Sequence, residues 1–148
     1  MAEFTYNPVQ TIIPGGSAIF NVTIPCQKGY IIPRNESGIV ILRGIVNNCY
    51  ARAARYQVAF NGNIALPEGA TVGPISICLA VDNIPIQTST AEVTPAAVQN
   101  YFNVTSTAII DIPKGCCFNL GVVNTSVGET TNPSINLKNA NMVISRIA

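Results

Sequence analysis

The chain has 148 residues, of which 48% are hydrophobic and only 10% are charged, and its formal net charge is +1. This composition excludes a disordered chain and predicts one domain over residues 1–148. The near-zero charge gives no electrostatic basis for binding nucleic acid or an anionic membrane, and it favours self-association. We therefore expect a homo-oligomer.

Taken in chain order, the first elements are short strands separated by turns. The opening MAEFTYNPVQ has no basic region followed by an apolar run, so we expect no signal peptide and synthesis in a cytoplasm. QTIIPGGSAIFNVTIP predicts two strands around a Pro-Gly-Gly turn, with Ala18, Phe20, Val22 and Ile24 on one face. GIVILRGIV is β-branched and bounded by glycine, and it predicts a further strand.

The middle and end of the chain continue the pattern. ARYQVAFNGNIAL alternates apolar with other residues and then meets Asn61-Gly62, which predicts a hairpin turn. Further strands are predicted on both sides of Asp82-Asn83, on both sides of Pro113-Lys114-Gly115, and in SINLKNANMVISRIA. TPAAVQNYF predicts the only helical turn. About eight to ten short strands predict an all-β fold, an antiparallel sandwich.

No pattern in the chain predicts catalysis. Histidine is absent, which excludes Ser-His and Cys-His pairs and zinc sites built on histidine. Phosphate-binding, dinucleotide-binding and calcium-binding motifs are also absent from the sequence. The carboxylates are scattered, mostly beside turn residues, and predict no acid–base pair: Glu3, Glu36, Glu68, Asp82, Glu92, Asp111 and Glu129. We therefore expect no enzyme, no cofactor and no metal site.

The chain has five cysteines without a Cys-X-X-Cys motif, a spacing that does not favour zinc. Cys78 lies in the apolar segment ISICLAV, which predicts a buried free thiol. Neighbouring side chains on a strand point to opposite faces, so one of Cys116 and Cys117 is expected to face the core and the other to face outward. Two interpretations stay open: free thiols, or cross-links between subunits formed in an oxidising exterior, with Cys26, Cys116 and Cys117 as candidates.

Several segments resemble the globular heads of the tumour-necrosis-factor/complement type. They are AIFNVTI, ARYQVAFNGNIALP, STAIIDIPKGCCFNLGVVNTS and LKNANMVISRI. The order of elements in Ile109–Ile112, Pro113–Gly115, Cys117–Asn124 and Ala140–Ile147 is similar to the bacterial and phage branch. That branch includes heads of collagen-like exosporium proteins and short structural proteins of phages infecting gut Firmicutes. The chain lacks the Gly-X-Y stalk of the collagen-like proteins.

This resemblance implies a ten-stranded jelly roll that assembles as a homotrimer about an apolar axis. ARYQVAFNG and the last strand match the segments that pack around that axis. The candidates for the trimer contact are Tyr56, Val58, Phe60, Phe118, Leu120 and Ile144. Since alternate residues of a strand share a face, ordinary sandwich core is the other interpretation of this set.

Three functions follow from these observations. The first is a virion protein made in the host cytoplasm, either a capsid decoration or a head-fibre subunit bound to other virion proteins. The second is a subunit of a bacterial surface or spore appendage cross-linked through cysteines. The third is a carbohydrate-binding module, for which the aromatic side chains available are Tyr30, Tyr50 and Tyr101.

Overall fold

A computed structural model of the chain describes residues 1–26, 28–34 and 37–148. One of the scattered carboxylates, Glu36, lies outside these described residues. The elements, in chain order, are β1 (Ala2–Tyr6), β2 (Gln10–Ile12), β3 (Val22–Ile24), β4 (Ile31–Pro33), β5 (Val40–Arg43), β6 (Ala53–Ala65), β7 (Ile75–Val81), β8 (Ile84–Pro85), a 3₁₀ turn (Gln87–Ser89), β9 (Ala91–Val93), β10 (Phe102–Pro113), β11 (Cys117–Asn124) and β12 (Ile135–Arg146).

The strands form two antiparallel sheets. Sheet 1 has the order β10-β6-β12-β1-β3, with β2 also paired to β12, and sheet 2 has the order β4-β5-β11-β7-β8, with β9 also paired to β7. The all-β antiparallel sandwich is therefore confirmed. The described residues contain twelve strands rather than eight to ten, because β1 was not predicted and several strands have only two or three residues.

The hydrophobic core lies between the two sheets. Along β6 every second side chain is buried, as the alternation of its sequence predicts. Each large apolar side chain placed there stabilises the fold by roughly 1.5–3 kcal/mol relative to an exposed one. The largest side chains with no exposed surface are Tyr56, Phe60, Leu42, Ile64, Leu66, Ile75, Ile77, Leu79, Ile112, Leu120 and Ile135.

The hairpin predicted at Asn61-Gly62 is wrong, because β6 runs straight through both residues. A Cβ atom on Gly62 would lie 2.7 Å from Leu137 Cδ1 and 3.1 Å from Phe60 Cζ. Glycine is therefore present at this position because neighbouring side chains occupy the space above it, and not because the chain turns.

The prediction of one face for Ala18, Phe20, Val22 and Ile24 is also wrong. Ala18 and Phe20 are buried, whereas Val22 and Ile24 are 57% and 60% exposed. The amide of Ala18 donates to Val122 in sheet 2, and the amide of Asn21 donates to Thr5 in sheet 1. The chain therefore crosses between sheets in this segment, which resets the alternation.

Two predicted turns lie where expected. Asp82 and Asn83 both have positive φ angles, 51° and 64°, as a two-residue turn of type I′ between β7 and β8 requires. The turn at Pro113–Gly115 has Gly115 at φ 81° and joins β10 to β11. Because these strands belong to different sheets, this second turn is a crossover and not a hairpin.

The helical turn predicted in TPAAVQNYF is wrong. These residues form an irregular connection from β9 to β10, in which Gln99 has a φ of 58° and donates its amide to Leu66 O. Positive φ is incompatible with a right-handed helix. The only helical element in the described parts of the chain is the turn Gln87–Ser89, and no helix there is long and apolar enough to cross a membrane.

Candidate subunit interface and thiol sites

Five of the six predicted interface residues lie inside the sandwich. Tyr56, Val58, Phe60, Leu120 and Ile144 have no exposed surface in a single chain. A side chain that is fully covered by its own chain has no surface left for a partner, so the interface prediction is corrected to core for these five. The sixth candidate, Phe118, is half-buried and packs against the same core.

On the strands of sheet 1, the residues that alternate with the buried ones form its outer face. Two rows of paired residues cross this face from β10 to β3. One row contains Thr107, Ala59, Val143, Glu3 and Ile24, and the other contains Thr105, Asn61, Asn141, Thr5 and Val22. A third row, Ile109, Gln57 and Ser145, lies beside them, and Ile109 is 65% exposed. Among the thirteen residues of these three rows Glu3 is the only charged one, and the others are small, polar without charge, or apolar.

Every charged side chain that the described residues place on this face has a partner. Arg55 makes a bidentate ion pair with Asp111, with Nε–Oδ1 and Nη2–Oδ2 distances of 2.7 and 2.8 Å. Hydrogen bonding to Arg55 holds the pKa of Asp111 below its ordinary value. Glu3 accepts a hydrogen bond from the Asn141 amide group. The fourth charged side chain on this face, Lys138, lies over the ring of Tyr101.

The thiols at the Pro113–Gly115 turn differ from the prediction. Both Cys116 and Cys117 are exposed, so the expectation that one of them faces the core is wrong. The physical reason is that β11 begins at Cys117, and Cys116 still belongs to the turn, where side chains do not alternate between faces. Cys78 is buried as predicted, and burial raises the pKa of its thiol.

A third exposed thiol lies near this turn. Cys49 is exposed in the loop between β5 and β6. Three backbone hydrogen bonds tie that loop to the turn: Gly44 N to Cys116 O (2.8 Å), Gly115 N to Gly44 O (3.0 Å) and Lys114 N to Arg52 O (2.9 Å). We call this region, residues 44–52 and 113–117, the thiol end. Cys49 was not a predicted site residue, and an exposed loop between two strands was the signal that could have identified it.

Cys26 lies apart from the thiol end, half-buried in a cleft of about 690 Å³. Burial raises the pKa of its thiol, but hydrogen bonds from the backbone amides of Lys28 and Tyr30 and the positive amino group of Met1 lower it, and the net pKa lies below the ordinary value. Its half-buried position makes Cys26 a poorer cross-linking residue than Cys116 or Cys117.

Two of the three aromatic side chains proposed for carbohydrate binding are covered by cations. Lys138 Nζ lies 4.1 Å from the ring centre of Tyr101, and the guanidinium of Arg146 lies 4.2 Å from that of Tyr30. The third, Tyr50, is 88% exposed on the loop of the thiol end. Among the described residues, no three of Cys, Asp and Glu are grouped so that they could hold a metal ion.

Comparison with known proteins gives the fold. A scan of protein-family models finds no match, and neither does a search of curated proteins. Among solved structures, the Eiger TNF of S. frugiperda is 12% identical with a TM-score of 0.63, covering 100% of this chain and 92% of that one. The globular domain of the zebrafish complement 1qA protein is 9% identical with a TM-score of 0.58, covering 96% and 94%. The sandwich is therefore a jelly roll of the TNF and C1q type.

Proposed function

We propose that this chain is a non-enzymatic structural subunit of a phage virion, a capsid decoration or head-fibre protein that assembles as a homotrimer. The observation that carries this proposal is the outer face of sheet 1. A sheet face in contact with water normally alternates charged and polar residues along its strands, and a soluble surface is about a quarter to a third charged. Burial against other copies of the chain explains why the thirteen residues of the three rows include one charged side chain, Glu3, which accepts a hydrogen bond from Asn141.

The fold and the sequence support the same proposal from different directions. The jelly roll has the type of the heads that the sequence resembles, and that resemblance implies a trimer. Its bacterial and phage branch, together with the expected synthesis in a cytoplasm, favours a virion protein over a secreted ligand. The absence of histidine from the chain supports a structural rather than an enzymatic role.

In this proposal the interface is formed by the residues that alternate, along each strand of sheet 1, with the candidates predicted from the sequence. On β6 and β12 these include Ala59 and Val143, which are paired directly across the sheet and are flanked by Thr107 on β10. Small side chains allow two sheet faces to approach closely and bury area, and a stable interface needs roughly 1,000 Å² or more in total. Val143 lies directly opposite Glu3, so a lysine there would be buried in the trimer as half of an ion pair, and desolvating both charges costs more than their attraction returns.

The oligomer is tested by Val143→Lys with Ile84→Lys as its matched control. Ile84 lies on β8 at the edge of sheet 2 and is 71% exposed, so its replacement adds the same charge away from the proposed interface. Light scattering should give three times the 15.6 kDa chain mass for the wild type and for Ile84→Lys, and one chain mass for Val143→Lys. A monomeric wild type, or a trimeric Val143→Lys of unchanged stability, would contradict the proposal.

The virion role is tested separately by the genes that flank the coding sequence. A major capsid gene alongside supports a virion protein. Spore-coat genes in that position would replace this role with the appendage, whatever the oligomeric state.

A subunit of a bacterial surface or spore appendage is the second candidate, and the thiol end favours it. Cys49 and Cys116 are exposed on two loops that hydrogen-bond to each other, and Cys117 is exposed next to Cys116 at the start of β11, a position suited to disulfides between copies. After air oxidation, boiling in detergent without reductant should then leave covalent multimers, and reductant should return them to single chains. Replacing these three cysteines by serine should abolish the multimers, whereas Cys78→Ser should not. Single chains under all conditions would contradict cross-linking.

A further inference from the structure

Different loops form the two ends of the sandwich. At one end β6 begins at Ala53, which pairs with Pro113 of the thiol end. At the other end β6 finishes at Ala65, and the loops that follow β6 and β11, residues 67–74 and 127–134, form the walls of a cavity of about 910 Å³. We call these two loops the cavity end. Since β6 has 13 residues, the thiol end and the cavity end are roughly 40 Å apart.

The two ends carry opposite charges. The charged residues of the thiol end are Arg52 and Lys114, and both are exposed. Asp111, the carboxylate next to the thiol end, is already held in an ion pair. The charged residues of the cavity end are Glu68 and Glu129, which are also both exposed, and no Lys or Arg among the described residues lines the cavity. Opposite charges at opposite ends favour contact between the end of one copy and the other end of the next.

The shapes of the two ends are complementary as well. Tyr50 is 88% exposed on the thiol end, two residues before Arg52, and its amide donates to Asn48 Oδ1 at 2.9 Å. The cavity is within the range of roughly 300–1,000 Å³ that binding pockets have, and Val72 and Val127, 49% and 70% exposed, are among the residues that line it. Tyrosine and arginine are enriched among the residues that contribute most to binding between proteins. A projecting tyrosine beside cations therefore fits a partly apolar cavity beside carboxylates.

We propose that copies of this chain stack head to tail, with the thiol end of one copy docked on the cavity end of the next. Tyr50 enters the cavity, and Arg52 and Lys114 lie against Glu68 and Glu129. Because the two surfaces differ and lie at opposite ends, the contact does not close after two copies and repeats along a stack. It uses the ends of the sandwich, whereas the proposed trimer uses a face of sheet 1, so the repeating unit of the stack is either a single chain or a trimer.

The experiment measures the mass of the assemblies by light scattering, in reductant, at two ionic strengths. The screening length is ~30 Å at about 0.01 M salt and ~3 Å at about 1 M salt. Exposed ion pairs contribute little in high salt, so we expect the low-salt mass to exceed the high-salt mass severalfold. The high-salt mass is that of the repeating unit, so the trimer is tested separately from the stack. A wild-type mass that is the same at both ionic strengths would overturn the proposal.

Charge reversal tests which surfaces meet. Arg52→Glu with Lys114→Glu makes both ends negative, and Glu68→Lys with Glu129→Lys makes both ends positive, so neither double variant should stack alone. An equal mixture of the two should stack at low salt, because each end then meets an end of opposite charge. Wild-type melting temperatures show that the variants are folded. If the folded variants stay unstacked in the mixture, the proposal is wrong.

Two further comparisons test the position of the contact. Arg34→Glu, at an exposed position outside both ends, changes the net charge as Arg52→Glu does and should stack like the wild type. Tyr50→Ala should reduce the low-salt mass to that of the repeating unit, whereas Tyr50→Phe keeps the ring and should stack. Equal loss of stacking in Arg34→Glu and Arg52→Glu would show an effect of net charge alone, and full stacking of Tyr50→Ala would show that Tyr50 does not enter the cavity. Either result would overturn the proposed contact.

Discussion

At the scale of single residues, Tyr56 joins the core to the backbone of sheet 2. Its ring has no exposed surface, and its hydroxyl donates a hydrogen bond to Arg43 O at 2.6 Å. Burial raises the pKa of this hydroxyl, and the positive charge of Arg146 only partly opposes the rise. The sequence alternation predicted that Tyr56 shares a face with Val58 and Phe60, but the carbonyl that accepts its hydrogen bond is on another strand and left no signal in the sequence.

We expect Tyr56→Phe to change stability in a pH-dependent way. At neutral pH the variant loses one hydrogen bond, worth about 1 kcal/mol. Because the folded-state pKa is raised, the contribution of the phenol is fully present below its unfolded pKa and is lost as the pH rises through the folded value. Urea unfolding from pH 7 to pH 11 should therefore show a shallower alkaline decline for Tyr56→Phe than for the wild type.

The control for this measurement is Tyr50→Phe, since Tyr50 is almost fully exposed. It should match the wild type in stability and in alkaline slope. Part of the slope should remain in Tyr56→Phe, because burial also raises the pKa of Cys78. Identical slopes for Tyr56→Phe and the wild type would show that the phenol titrates alike in the folded and unfolded chains.

At the scale of elements, alternation predicted the strands, and the mistakes arose where contacts distant in sequence override a local signal. Asn61-Gly62 is a strong hairpin sequence, yet β10 and β12 pair with β6 on both sides of it and hold it extended. The crossing between sheets after Ala18 depends on which strands accept its hydrogen bonds, and a single sequence does not contain that information. The type I′ turn at Asp82-Asn83 was predictable because its requirement is local.

Gly62→Ala tests why β6 contains a glycine. The added methyl group must displace Leu137 or Phe60, and overpacking of this kind costs roughly 1–3 kcal/mol. Gly73→Ala is the control, since a Cβ there meets nothing within 4 Å and the residue has no positive φ angle. Urea midpoints should fall for Gly62→Ala and stay within error, or rise slightly, for Gly73→Ala. Equal midpoints for the two variants would mean that Leu137 and Phe60 can move aside without lowering the free energy of unfolding.

At the scale of the whole molecule, the two faces of sheet 1 divide the residues of each strand between core and outer surface. The apolar set on β6 was expected at a subunit contact, but a chain of this size first needs those side chains to fill the space between its own sheets. The sequence predicts which residues of a strand share a face, but it does not show which of the two faces meets a partner. The outer set includes Ala59 and Gln57, and the composition of this set resembles neither that of a core nor that of an ordinary charged surface.

Thermal unfolding measured over a hundredfold range of protein concentration should distinguish core residues from interface residues. A trimer gains stability by mass action, so the wild-type melting temperature should rise with concentration. Phe60→Ala opens a cavity between the sheets and should lower the melting temperature by about 10 °C at every concentration while keeping that rise. Val143→Lys, on the outer face, should remove the rise, and Ile84→Lys should preserve it. If Phe60→Ala instead removed the concentration dependence, Phe60 would belong to the contact between subunits, and the outer face of sheet 1 would be an ordinary solvated surface.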